Sequence, residues 1–302
     1  MRRTAALLAT ALLLTGCAGS KGTPAPSTPS TPFAAVGAYG HEPTITFPKG
    51  GPPKELVKSL VTEGTGPVVA KGDLLVAHYV GQVWDGAVFD SSYKRNAPAT
   101  FPIGVGSVIP GWDKELVGLK GGSRVLLSVP PVDGYGAAGN TSAKIRGTDT
   151  IVFVVDVIAS YAKTAVPPAG AVPENSANTQ GVTVTGDLDK EPHIVVGKGV
   201  ASPAKAATIV LARGTGAAVV PGFVVFQATS VDWSGAPSGS TWTKGGITGQ
   251  PVGSGGPLDA LLTMPVGSRV LLLLPKDDTK ASAHPAVAAV IDIVGEPWVP
   301  TP

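Results

Sequence analysis

The sequence predicts an α+β protein of two domains, each a curved antiparallel β-sheet wrapped around a short α-helix. Three observations carry that reading. A length of 302 residues fits two domains. The 40 glycines and 29 prolines, nearly a quarter of the chain, argue for short strands joined by many turns rather than long helices. The third is a weak internal repeat at an offset of about 145–150 residues. Glu42-Pro43-Thr44-Ile45 recurs as Glu191-Pro192-His193-Ile194, Gly64-Thr65-Gly66 as Gly214-Thr215-Gly216, and Gly122-Ser123-Arg124-Val125-Leu126-Leu127 as Gly267-Ser268-Arg269-Val270-Leu271-Leu272, all in the same order.

The N-terminus reads as a targeting segment. Arg2 and Arg3 give it a basic start, and Ala5 to Leu14 form an apolar run too short to anchor the chain as a spanning helix. The closing Leu14-Thr15-Gly16-Cys17 resembles a bacterial lipobox, in which the cysteine takes a diacylglyceryl thioether. Cys17 is the only cysteine, so it forms no intramolecular disulfide. A plain signal peptide with an incidental cysteine is the alternative. The expected organisation is a signal peptide at 1–17, a Ser/Thr/Pro tether at 18–32 without the apolar side chains that offset ordering entropy, and an extracytoplasmic globular part held to the membrane by its N-terminal lipid.

Globular sequence starts near Phe33, and the first domain is expected at 33–164. Leu74 to Val80, Ser123 to Val129 and Thr150 to Ile158 read as strands, and Trp84-Asp85-Gly86 as a turn. After the break at Pro110-Gly111, Trp112, Leu116 and Leu119 recur at helical spacing and predict one short helix over 112–119. Trp112 is then either plain core or the floor of a pocket, since an indole offers a broad apolar face and a single donor. A Pro/Ala/Ser/Asn-rich linker is expected at 165–180, a second domain at 181–296 and a tail at 297–302.

The ordered series Ala77-His78-Tyr79-Val80-Gly81, Phe89-Asp90-Ser91-Ser92, Phe101, Val108-Ile109-Pro110-Gly111-Trp112, Tyr135-Gly136 and Ile151-Val152-Phe153 resembles the FKBP-type peptidyl-prolyl cis-trans isomerases over about residues 54–162. The resemblance implies a pocket floored by Trp112 and walled by Tyr79, Phe89, Val108, Ile109, Tyr135, Ile145 and Phe153, with Phe101 beside them. It implies substrate contacts from the Ile109 N–H and the Tyr135 hydroxyl, and Asp90 as the charged group near the rotating amide. It further implies proline-containing exported polypeptides as substrates, and macrolides of the tacrolimus and rapamycin type as ligands. Two departures stand out: Ala99 occupies a place where many members carry a rim aromatic, and the 136–145 loop lacks their usual His and Pro-rich approach to Ile145.

Alignment of the repeats sets Thr229 opposite Tyr79, Ser238 opposite Phe89, Gly239 opposite Asp90, Pro257 opposite Trp112 and Ala289 opposite Phe153, with the Val108-Ile109 step in a deletion. The second copy is thus expected to keep its framework, Phe223–Phe226, Val270–Leu274 and Val287–Ile293, without a pocket. No metal site is expected, since His41, His78, His193 and His284 are isolated. Gly104-Val105-Gly106 and Gly197-Lys198-Gly199 lack the third glycine of a dinucleotide turn, so no cofactor is expected either. A net charge of +2 with scattered Lys and Arg gives no footprint for nucleic acid. Two functions follow: a surface-anchored isomerase acting at slow Xaa-Pro steps, or a non-catalytic lipoprotein that uses the same pocket to hold a peptide or partner.

Overall fold

Two antiparallel sheets of the same strand order organise the computed structural model, which describes residues 33–174, 179–243, 245–279 and 283–297. The expected signal segment with Cys17, the tether and most of the 297–302 tail lie outside the described residues. In the first half the strands are β1 (Ala34–Val36), β2 (Thr44–Thr46), β3 (Val57–Thr62), β4 (Leu74–Val83), β5 (Val88–Ser91), β6 (Ala99–Pro102), β7 (Arg124–Val129) and β8 (Ile151–Tyr161), with helix α1 (Pro110–Glu115) between β6 and β7. The second half contains β9 (Val172–Pro173), β10 (Val182–Thr185), β11 (His193–Val196), β12 (Ala207–Arg213), β13 (Gly222–Asp232), β14 (Pro237–Ser240), β15 (Thr248–Val252), β16 (Arg269–Leu274) and β17 (Val287–Gly295).

The first sheet runs β3-β7-β8-β4-β5, and β6 pairs with the start of β4. The second runs β12-β16-β17-β13-β14 in matching order, β15 pairs with β13, and β9 adds an edge beside β12. Part of the segment expected to be linker is thus an edge strand, fixed also by the Glu174 N–H donating to Leu211 O at 2.8 Å. The protein is mostly β-sheet with very little helix.

β4 is buried from Leu74 to Gly81, the run Leu-Leu-Val-Ala-His-Tyr-Val-Gly, because both of its faces are covered there. Leu75, Ala77 and Tyr79 face a core shared with Trp112, Leu116, Val125, Leu127, Phe153 and Val155. Leu74 and Val76 point to the opposite side. Val83–Gly86 closes the expected turn, with Asp85 at φ 47° and the Gly86 N–H bonded to Val83 O.

The helix departs from expectation. Pro110, read as a breaker, is the first helical residue, where its fixed φ and missing N–H suit the first turn. Helical geometry ends at Glu115, and Gly118 at φ 87° turns the chain back, so Leu116 and Leu119 pack from a turn rather than a helix. The second half has only a 3-10 turn, Pro257–Leu261, in this place, not the expected α-helix.

The repeated Gly-Ser-Arg motif has a structural basis in both halves. Arg124 and Asp156 are fully buried and paired at 2.6 Å, and Arg124 also donates to Gly37 O and His41 O, which fixes the β1–β2 hairpin on the outer face of the sheet. Arg269 does the same with Asp292, Gly186 O and Lys190 O. Ser123 and Ser268 each accept the N–H of the first glycine in the repeated Gly-Thr-Gly, Gly64 and Gly214, at 2.9 Å.

These anchors set the register between halves. Asp156 faces His78 across the ladder as Asp292 faces Gln227. The Tyr79 N–H donates to Ser92 Oγ as the Ala228 N–H donates to Thr241 Oγ1. The partner of Tyr79 is therefore Ala228, not Thr229.

Candidate active site

A cavity of about 490 Å³ opens in the first half, bounded by Tyr79, Phe89, Asp90, Phe101, Ser107, Val108, Ile109, Pro110, Trp112, Gly134, Tyr135 and Phe153. Its size is that of a small-ligand site. Trp112 is buried beneath it and meets three rings edge to face: Phe101 at 5.0 Å between centroids, Phe153 at 5.1 Å and Tyr79 at 5.3 Å. Phe89 stands on Phe153 at 5.7 Å. Among the described residues the buried Trp112 indole N–H finds no acceptor.

Each wall has a local cause. Tyr79 and Phe153 are inward positions of the paired strands β4 and β8, and Phe101 comes from β6. Gly81 makes room for two rings, since a Cβ there would lie 2.6 Å from Phe89 and 2.8 Å from Phe153. Val108 and Ile109 belong to the loop before α1, which the Asp113 carboxylate holds by accepting the Gly104 and Gly106 N–H groups at 2.6 Å each. Ile109 is the residue before the first helical turn and has extended backbone; among the described residues its N–H finds no acceptor, as is usual for a first turn. Tyr135 follows the 3-10 turn Pro131–Asp133 and is half-buried against the core.

The charged part of the cavity is a triad. The Tyr79 hydroxyl donates to Asp90 Oδ2, Arg95 pairs with the other Asp90 oxygen, and a second Arg95 nitrogen donates to the Tyr79 hydroxyl at 3.0 Å. Burial opposes ionisation of Asp90, but the Tyr79 and Arg95 hydrogen bonds outweigh it and hold the carboxyl below its usual range. Burial, reinforced by the bond to Asp90, pushes the Tyr79 hydroxyl up to about 12. Behind Tyr79, burial brings His78 down to about 4; it sits 2.9 Å from Ser92 Oγ and stacks on Tyr93.

Of the residues singled out in the sequence, Tyr79, Phe89, Asp90, Phe101, Val108, Ile109, Trp112, Tyr135 and Phe153 meet on this cavity. Ile145 does not line it. It is core, held by backbone bonds to Asn140 that close the 140–145 loop. Arg95 and Asp113 were not anticipated. Arg95 lies in a turn with no periodic signal, whereas Asp113 could have been found from its repetition: Asp259 accepts the Gly253 and Gly255 N–H groups in the second half.

That equivalence corrects a second alignment. With Asp259 matching Asp113, Trp112 corresponds to Leu258 rather than Pro257. The second half thus carries Ala228, Ser238, Gly239, Leu258 and Ala289 where the first carries Tyr79, Phe89, Asp90, Trp112 and Phe153, and among the described residues no matching ring-lined cavity forms there. A larger hollow of about 740 Å³ borders Pro167–Ala171 and the β10–β11 hairpin. Its guanidinium, Arg269, is already committed to Asp292 and backbone carbonyls. Among the described residues no three His, Cys, Asp or Glu gather as metal ligands, and no helix is long and apolar enough to cross a membrane.

Residues 66–158 match the family described as FKBP-type peptidyl-prolyl cis-trans isomerase. The chain is 40% identical over 119 residues to an FK506-binding protein of Streptomyces anulatus, covering 39% of this chain and 96% of that protein. It is 51% identical over 105 residues to the chloroplastic peptidyl-prolyl cis-trans isomerase FKBP13 of Arabidopsis thaliana, covering 32% of this chain and half of that one. Among solved structures, the crystal structure of AtFKBP13 matches at 37% identity with a TM-score of 0.34, over 36% of this chain and 96% of that chain.

Proposed function

Because the chain belongs to the FKBP-type peptidyl-prolyl cis-trans isomerase family, we propose that its isomerase activity resides in the aromatic cavity of the first half, with the substrate proline ring seated on Trp112. The observation that carries this assignment is the convergence of Tyr79, Phe101 and Phe153 edge-on around one buried indole, with a fixed carboxylate at the rim.

Rotation about an Xaa-Pro bond meets a barrier of about 18–20 kcal/mol because amide conjugation is lost in the twisted state. Uncatalysed exchange takes tens to hundreds of seconds. An acceleration of about 10⁴ needs only about 5–6 kcal/mol of differential stabilisation. Conjugation places charge on the amide oxygen, so an apolar ring-lined pocket disfavours the planar form relative to the twisted one. No nucleophile or proton transfer is required. The Ile109 N–H and the Tyr135 hydroxyl donate to the bound chain and fix its path, while Tyr79 and Arg95 hold Asp90 ionised beside the rotating bond. Phe89 and Val108 close the sides.

The remaining assignments rest on this site and on sequence. Macrolides of the tacrolimus and rapamycin type occupy the same cavity, a reading supported by the FK506-binding relative. The domains are 33–164 and 181–296, the second extended by its edge strand β9 and a copy of the same architecture without catalysis, a reading supported by the matching strand orders and the lost rings. Cys17 carries lipid, and the enzyme works outside the cytoplasm on exported chains.

The test is refolding of a protein limited by a slow Xaa-Pro step. Residues 33–302 are expected to shorten the slow phase, and FK506 to abolish the effect at one equivalent per chain. A folded protein that binds FK506 but leaves the slow phase unchanged would make the cavity a capture site without turnover.

A further inference from the structure

One apolar cluster joins the two sheets, and its members are matched. Leu74, Val76 and Ile158 of the first half pack with Phe223, Val225 and Val294 of the second. The register that pairs His78 with Gln227 makes Leu74 the equivalent of Phe223 and Val76 the equivalent of Val225; the Asp156–Asp292 match makes Ile158 the equivalent of Val294. The next strand repeats the correspondence. Thr100 of β6 faces Val76, Gly249 of β15 faces Val225, and a Cβ on Gly249 would lie 3.2 Å from the Thr100 methyl. Equivalent residues touch each other in this way only near a two-fold axis, where one patch meets its own copy. Elsewhere the outer faces are covered by the β1–β2 and β10–β11 hairpins, so this patch is the uncovered end of each sheet.

We infer that the second half is a tethered dimer partner of the catalytic half, docked through the same face of both copies, and that it braces β6, the strand that carries Phe101 into the cavity. The bracing part rests on the assignment of catalysis to that cavity. Two polar contacts lock the join: the Ile247 N–H donates to Lys163 O, and Gln227 Nε2 donates to Ala165 O at 3.1 Å. Gln227, at the position of His78, thus serves docking instead of supporting a tyrosine. Loss of the rings from the second copy leaves this face intact, which accounts for a repeat that keeps its framework while its pocket disappears.

A protease site inserted between Ala169 and Gly170, both exposed, allows residues 33–302 to be cut after folding while β9 stays with the second half. The two fragments are expected to elute together at micromolar concentration, and Val225→Asp, which buries a charge in the join, to release them. Separate elution of the cut wild-type fragments would overturn the docking. On release, the KM of the catalytic fragment for a short Xaa-Pro peptide is expected to rise about tenfold with a smaller change in kcat. An unchanged KM would overturn the bracing. An intact chain without isomerase activity would refute the catalytic assignment, and the elution result would still decide the docking.

Discussion

Asp90 is a charge placed where rings surround the rest of the site, and its protonation state follows from its partners. Tyr79 and Arg95 keep it ionised, Tyr79 titrates only near 12, and His78 stays neutral above about 4. A folded-state carboxyl below its ordinary value retains its charge above that value and loses it only as pH falls further. The isomerase kcat/KM is therefore expected to be flat between about pH 5 and pH 9; a bell-shaped profile inside that window would mean that another group carries a proton in the reaction. Arg95→Ala is expected to lower kcat/KM with little effect on thermal stability, since the exposed pair with Asp90 contributes little to folding. Substrate kinetics alongside a melting curve check this. The rings and Asp90 were legible in the sequence because they fall in short fragments whose order resembles that of the isomerase family. Arg95 was not, because a turn residue reaching back five positions leaves no periodic trace.

At the level of the element, β4 and the loop before α1 determine the shape of the cavity. Gly81 lies under the rings of Phe89 and Phe153, so Gly81→Val is expected to displace both and lower kcat/KM by about tenfold or more, the order of loss that misplaced binding groups produce. Ser230 stands at the matching position of the second half, where neither ring exists and a side chain is tolerated. Asp113→Ala frees the Gly104 and Gly106 N–H groups, and faster amide exchange across residues 104–109 checks its role. Strand positions were readable from apolar runs and the helix from a three-residue stripe. The helix limits were not, because Pro110 begins a helix as readily as it ends one and Gly118 stops it before the stripe is complete. The alignment slips at Thr229 and Pro257 have the same physical origin. With the pocket side chains gone nothing marks which face of β13 is inward, where a one-residue slip exchanges the faces, and no indole marks the place of Trp112 in the turn Pro257–Leu261.

For the whole molecule, the described residues belong to one compact unit in which two copies of a sheet share a buried join. The repeat was visible in the sequence through the Gly-Thr-Gly and Gly-Ser-Arg segments, whose tight backbone approaches and buried Arg–Asp pairs tolerate little change. The join was not visible, because a strand buried on both faces reads as one apolar run and does not say what covers either side. On the proposed assignment, catalysis belongs to the copy that keeps the rings, and the other copy serves docking. The measurement that addresses this most directly is the catalysed cis–trans exchange rate of a short Xaa-Pro peptide with residues 33–302, beside Phe89→Ala in the first half. The account expects the wild-type chain to bring exchange from tens of seconds to well below one second, and Phe89→Ala, partly exposed at the cavity wall, to remove most of that acceleration while the fold persists. Full activity in a folded Phe89→Ala protein would contradict it.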